Sequence, residues 1–298
     1  MGQPTEDNIY GYDASQAAAI VFSVLNSILL FYHSYLCFYR PCRSRYKHRY
    51  TIPLFVACVL ATAGYSIRVV SVDQPDDVSL YATSSSYVVI SPIFVCATLY
   101  WQLKYLILLL LPKGPHQRLF GINPLWVGRI FITSDILSFL TQGSGSGIAS
   151  SGNWEGNQKD IGEGVLIGGL TLQLLTFTVY LIFMFKLVHR VHALPETSFP
   201  ADVRKVLTGV WIAATFVQIR TVFRLVEFAW GIEGYLFSNE WCLYVFESVP
   251  MFVALLALAW FHPVKHLQAK RYFEEEEGIG GGAQEKGRRG GSPGEEVV

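Results

Sequence analysis

The residues best able to do chemistry in this chain are ionisable groups set at helical spacing inside apolar stretches. Arg220, Arg224 and Glu227 recur at i, i+4 and i+7, which puts all three on one face of a helix. Glu240, Tyr244, Glu247 and Met251 follow with the same rhythm, and Pro250 is placed to bend that helix just beyond Glu247. Asp135, Ser138 and Gln142 form a third stripe. Arg68 stands near the end of another apolar run, and Gln173 lies midway along a further one, where an amide serves to hydrogen-bond neighbouring helices. An ionisable side chain at mid-membrane costs about 2.5 to 3.5 kcal/mol on insertion scales, so such groups need partners or a wet cavity. What they offer together is electrostatic recognition of a charged group.

Bond-making chemistry finds no constellation to carry it. There is no G-x-S-x-G, no H-E-x-x-H and no paired aspartates in a membrane-protease setting, so no catalytic residues and no enzyme activity are expected. Cys37, Cys42, Cys58, Cys96 and Cys242 show neither a C-x-x-C pair nor metal-ligand spacing, and no metal or cofactor is expected. His33 and His262 are isolated in sequence and read as packing or interface residues, with Pro263 marking a helix end. The GSGSG of Gly143 to Gly147 follows a helix instead of leading from a strand into one, so it reads as a flexible loop and not a phosphate cradle.

The elements that must hold these groups are membrane spans. Of 298 residues 51% are hydrophobic and only 15% charged, against roughly 25% charged in soluble domains. The net charge is zero, which leaves no basic field for nucleic acid. A bilayer core needs about 20 apolar helical residues. Seven stretches qualify: Gln16 to Tyr39, Thr51 to Ser71, Ser85 to Leu111, Leu125 to Gln142, Gly162 to Phe185, Lys205 to Trp230 and Trp241 to His262. The fourth is the weakest, since it contains Arg129 and Asp135. The expected fold is thus all-α, a polytopic seven-helix bundle over residues 16–266, with a short amino-terminal segment (1–15) and a Gly-rich, charged tail (267–298) that has little to bury and is expected to be disordered. The acidic start of the chain shows no cleavable signal, so the first span is expected to direct its own insertion.

Loop charge sets the expected orientation. Lys and Arg gather in every second connection: Arg40, Arg43, Arg45, Lys47 and Arg49; Lys113 and Arg118; Lys186, Arg190, Arg204 and Lys205; Lys265, Lys270 and Arg271. The alternate segments hold almost none, Lys159 excepted. The positive-inside rule then puts the amino terminus outside and the carboxyl tail in the cytosol. At about 1.5 Å per residue, Arg224 and Glu247 each lie six residues from the outer end of their helix, Asp135 seven and Arg68 three. The expectation is that Asp135, Glu227 and Glu247 neutralise Arg68, Arg220 and Arg224 in a hydrated cluster that opens outward. Lys104, toward the inner end of the third span, is expected to snorkel to the headgroups.

At this point the chain resembles the fungal RTA-like family, the lipid-translocating exporters, over roughly residues 10 to 266. The most specific stretch is IRTVFRLVEFAWGIEGYLFSNEWCLYVFESVPM (219–251). GYSIR in the second span, SPIFVCATLY in the third, FITSDILSFLTQGSGSG in the fourth, GGLTLQLLTF in the fifth and the closing His-Pro add to it. The chain departs from the family pattern at Ser91, Cys96 and Leu103-Lys104, and in having Glu247 for the usual Asp. The resemblance implies a seven-helix protein of the plasma membrane, or else an internal membrane. It would move lipids such as sphingoid bases or sterol-like amphiphiles, with a role in resistance to toxic compounds, and some relatives are linked to porphyrin. The expected partners are membrane lipids or amphiphilic small molecules; no protein partner is indicated. The competing expectation is a seven-helix sensor or receptor for an amphiphile, which topology alone does not separate from a transporter.

Overall fold

A computed structural model describes residues 14–39, 51–110, 124–151, 156–192, 201–231 and 234–263. The remaining residues, including Cys42, the basic stretch from Arg40 to Arg49, Lys113, Arg118, Lys265, Lys270, Arg271 and the tail, lie outside them.

Among the described residues the structure is helical and contains no strand. Where water is absent a backbone must satisfy its own hydrogen bonds, and a helix does so within one segment. We number the long helices α1 (Gln16–Tyr39), α2 (Ile52–Asp73), α3 (Val78–Leu110), α4 (Pro124–Ser151), α5 (Gly156–His192), α6 (Ala201–Ala229) and α7 (Glu240–Trp260). A single turn, Tyr235–Ser238, precedes α7. Local chemistry sets several ends. The Ser15 hydroxyl accepts a hydrogen bond from the Ala18 N–H at the start of α1, Pro53 occupies the first turn of α2, and the Asp77 carboxylate accepts from the N–H groups of Ser79 and Leu80 ahead of α3.

Six of these helices are long and apolar enough to cross a bilayer, with mean hydropathy from 1.5 to 2.0 in their best windows. The fourth expected span, α4, falls short of that measure. Ser134, Asp135, Ser138, Thr141, Gln142 and the GSGSG run dilute it, although its outward residues Ile130, Ile136, Leu137 and Leu140 are apolar and exposed. The observed helices also overrun several expected bounds. α3 begins seven residues before Ser85, and α5 extends beyond both Gly162 and Phe185.

The reading of Gly143 to Gly147 as a loop is overturned: all five residues are helical, continuous with α4 to Ser151. The reason is close backbone contact with α5. A Cβ on Gly145 would come 2.6 Å from the Leu166 nitrogen and 2.7 Å from the Gly162 oxygen, and one on Gly162 would meet the Ala149 nitrogen at 2.6 Å. Gly169 repeats the fit against the Ser138 oxygen at 2.9 Å. Small residues here bring two helix backbones together, which is how helices associate without a hydrophobic driving force between them.

Around the bundle α1 packs on α2, α2 on α3, α4 on α5 and α6 on α7, with α1 also against α7. α3 is the central element, reaching α2, α4, α5 and α6. Burial rises from α1, 22% buried in its best window, to α7, 61%. α1 leaves Val21, Val24, Ile28 and Phe31 more than half exposed. So much contiguous apolar surface is stable against acyl chains and costly against water.

Candidate functional site: a buried ionic network

The site is built at one end of the bundle by α2, α6 and α7. α6 supplies Arg220, Arg224 and Glu227, α2 supplies Arg68, and α7 supplies Glu240, Tyr244, Glu247 and Ser248. Residues 244–248 of α7 form a π-helical turn immediately ahead of Pro250. A proline has no N–H to continue the α-helical ladder, and the wider turn that results buries Tyr244, Glu247 and Ser248 together. The expected irregularity near Glu247 is therefore present, as a change of helix type.

Two arms of charge meet there. In the first, Arg220 Nη2 lies 2.7 Å from Glu247 Oε1, while Arg224 Nη1 bridges Glu227 Oε2 at 2.8 Å and Glu247 Oε2 at 3.5 Å. In the second, Arg68 Nη2 lies 3.1 Å from Glu240 Oε1, and Arg68 Nε donates to the Tyr244 hydroxyl at 3.3 Å. The other Glu240 oxygen accepts from the backbone N–H of Ser15 at 2.6 Å, tying the entrance of α1 to α7. Beneath this arm Tyr65 donates to Ser248 Oγ at 2.5 Å, and Phe22 of α1 stacks on both Tyr65 and Tyr244. The Arg224 guanidinium also lies over the Phe228 ring at 4.8 Å.

The expected network is thus largely assembled, with two corrections. Asp135 is not part of it; Glu240 takes its place, so three carboxylates still balance three guanidinium groups. Depth along a helix sets the height of a side chain but not the direction it faces, and Asp135 faces α3, where the Tyr100 hydroxyl donates to it at 2.8 Å. Nor is the cluster open and wet. Arg68, Arg220, Glu227 and Glu247 are each at most 4% exposed. With charges equal in number, the guanidinium forks occupy the space a solvent-filled pocket would need. An adjoining cavity lined by Asn26, Tyr65, Ser91, Glu247 and Ser248 measures about 10 Å³, room for roughly one water.

Of the other expected site residues, Gln142 and Gln173 hydrogen-bond each other at 3.0 Å across the seam of α4 and α5, apart from the network. Lys104 Nζ lies 5.3 Å from the Tyr105 ring centroid. The structure also joins residues that sequence reasoning left separate. His33 and His262, both fully buried, have ring centroids 6.3 Å apart, and His33 Nε2 is 3.2 Å from the Leu255 carbonyl oxygen. The local signal for His33 was its place on the buried stripe of Ala19, Asn26 and Leu29. For Tyr65 it was the spacing of three residues to Arg68 on the same helix face.

Six helices long and apolar enough to cross a bilayer and a neutralised set of buried charges define a multi-pass integral membrane protein, helical throughout its described long elements. The chain belongs to the RTA1-like family, whose family model, "RTA1 like protein", matches residues 54–270. Every member of the ionic network falls within that range, and α1 lies before it. The chain is similar to Protoporphyrin uptake protein 1 of Saccharomyces cerevisiae, 26% identical over 284 residues that cover 84% of this chain and 90% of the relative. It is similar also to the probable lipid transporter atnI of Emericella nidulans, 27% identical over 86% of this chain and 67% of the relative. The sphingoid long-chain base transporter RSB1 of Saccharomyces cerevisiae is 23% identical over 73% of this chain and 65% of that protein. No solved structure matches.

Proposed function

We propose that the chain moves lipids or related amphiphiles, of the sphingoid-base or sterol-like kind, across the membrane, and that it binds and carries them without altering them chemically. The observation that supports this most directly is the network itself: Arg68, Arg220, Arg224, Glu227, Glu240 and Glu247 are held in an apolar bundle as mutual partners. An amphiphile with an ionic head can substitute for one partner in such a set, because each charge it displaces it also supplies. The transporters among the relatives support the same reading. In this proposal α4 is the seventh crossing, its apolar outward face against lipid, the membrane is the plasma membrane, and the amino terminus lies outside with the carboxyl terminus in the cytosol, an orientation that the alternation of loop charge supports.

Reconstitution tests it. Purified protein in vesicles is expected to speed the flip of a fluorescent long-chain base, and rates equal to those of protein-free vesicles across sphingoid, phospholipid and sterol probes would remove the proposal. A sensor for an amphiphile is the second reading, favoured by one observation, the closed and internally satisfied state of the network. Overexpression separates the two. A carrier redistributes lipid between leaflets by itself, whereas a sensor does so only with a cytosolic effector present.

A further inference from the structure

Asp135 stands outside the ionic network and has an environment of its own. It is 3% exposed, at the centre of α4, and its Oδ2 accepts from the Tyr100 hydroxyl at 2.8 Å. Its Oδ1 is buried with no hydrogen-bond partner among the described residues. The groups packed about it are aromatic: Tyr100 stacks on Phe131 at 5.2 Å, and Tyr180 meets Tyr100 edge-on at 5.1 Å and Phe131 at 5.9 Å. The titratable groups facing this pocket are Tyr100 and Cys96 of α3 and Tyr180 of α5, with Arg220 of α6 on the far side, within electrostatic reach of the Cys96 thiol. Among the described residues no Lys or Arg forms an ion pair with Asp135.

A carboxylate needs a cation or several donors when buried, and one neutral hydroxyl is neither. The rings are in contact with one another at these separations, and Oδ1 is buried with neither a cation nor a second donor beside it among the described residues. The one cation that occupies such a place without moving a neighbour is a proton. We infer that Asp135 is a proton-binding site, and that this proton is the ion whose gradient drives translocation. This rests on the carrier reading above. In the step proposed, a proton from water on one side forms a bond to Oδ1 and takes the side chain from −1 to neutral. After the bundle rearranges, that bond breaks and the proton leaves to water on the other side. Tyr100 keeps its own proton throughout, and nothing is oxidised or reduced.

Two measurements on the full-length protein test it, one independent of transport. Infrared difference spectra of purified protein across a pH titration should contain, beyond the bands of the chain's other carboxyl groups, the C=O stretch of one further protonated carboxylic acid, and Asp135→Asn should remove that component. A spectrum without that band, or one unchanged in Asp135→Asn, overturns the inference. In vesicles with the membrane potential clamped, steady-state accumulation is read with a labelled N,N,N-trimethyl long-chain base, whose fixed charge keeps it from redistributing as a free amine, against protein-free vesicles under the same gradient. With one proton exchanged per substrate, a gradient of one pH unit sustains about a tenfold ratio. The native protein should approach that ratio, Asp135→Glu should retain a response, and Asp135→Asn should show none. Flip that proceeds but ignores the gradient overturns the coupling and leaves the carrier reading standing. No flip of any probe removes the carrier reading and the coupling with it.

Discussion

At the scale of single residues, Glu247 is the hinge of the charge balance, because each of its oxygens faces a different arginine. Removing one member of a buried ion pair strands the other, at about 3 to 5 kcal/mol. Glu247→Gln is therefore expected to lower the thermal stability of the purified protein by that order and to impair transport. Arg224→Gln leaves Glu247 paired with Arg220 but strands the buried Glu227, so it should destabilise by a similar order and impair transport as well. A double-mutant cycle supplies the check: Arg220→Gln with Glu247→Gln should destabilise less than the sum of the two single changes, and strict additivity would mean that the 2.7 Å contact carries no coupling. The residues of this network were legible in the sequence because 3.6-residue periodicity reports the face a side chain occupies within its own helix. Asp135 was assigned to the wrong set because no pattern internal to α4 says which neighbour its face will meet. His33 and His262 were missed for a related reason, being on α1 and beyond the end of α7 with no local spacing to connect them.

At the scale of elements, the seam between α4 and α5 makes the sharpest prediction. Gly145 and Gly143 are both helical glycines, but a Cβ at Gly145 meets backbone at 2.6 Å, whereas one at Gly143 meets nothing within 4 Å. Gly145→Ala should destabilise by about 1 to 3 kcal/mol through overpacking. Gly143→Ala should be neutral or stabilising by up to about 1 kcal/mol, from helix propensity. Unfolding of the two variants in the same detergent checks this, and equal effects would mean that the close approach does not hold. The GSGSG run was misread because glycine and serine punctuate chains in water, where a frayed backbone finds other partners. Against a second helix in an apolar medium the same residues shorten the distance between axes. The remaining helices were legible from apolar run length, and the π-helical turn of α7 from the position of Pro250.

At the scale of the whole molecule, the seven crossings proposed above, being odd in number, would place the termini on opposite faces. An epitope at the amino terminus should be accessible on intact cells, and one at the carboxyl terminus only after permeabilisation. Accessibility of both from the same side would remove α4 as a crossing. The way α1 is held carries an implication for such a body. It is the least buried of the six candidate spans, and it precedes the family-matched region. Its ties to α7 and α2 include the Ser15 amide on Glu240, Phe22 on two tyrosines and His33 at the Leu255 carbonyl. With most of its own surface turned to the acyl chains, α1 covers Tyr244 and the Glu240 end of the network from the lipid side. A molecule already dissolved in a leaflet would therefore meet α1 before Arg68 and Glu240.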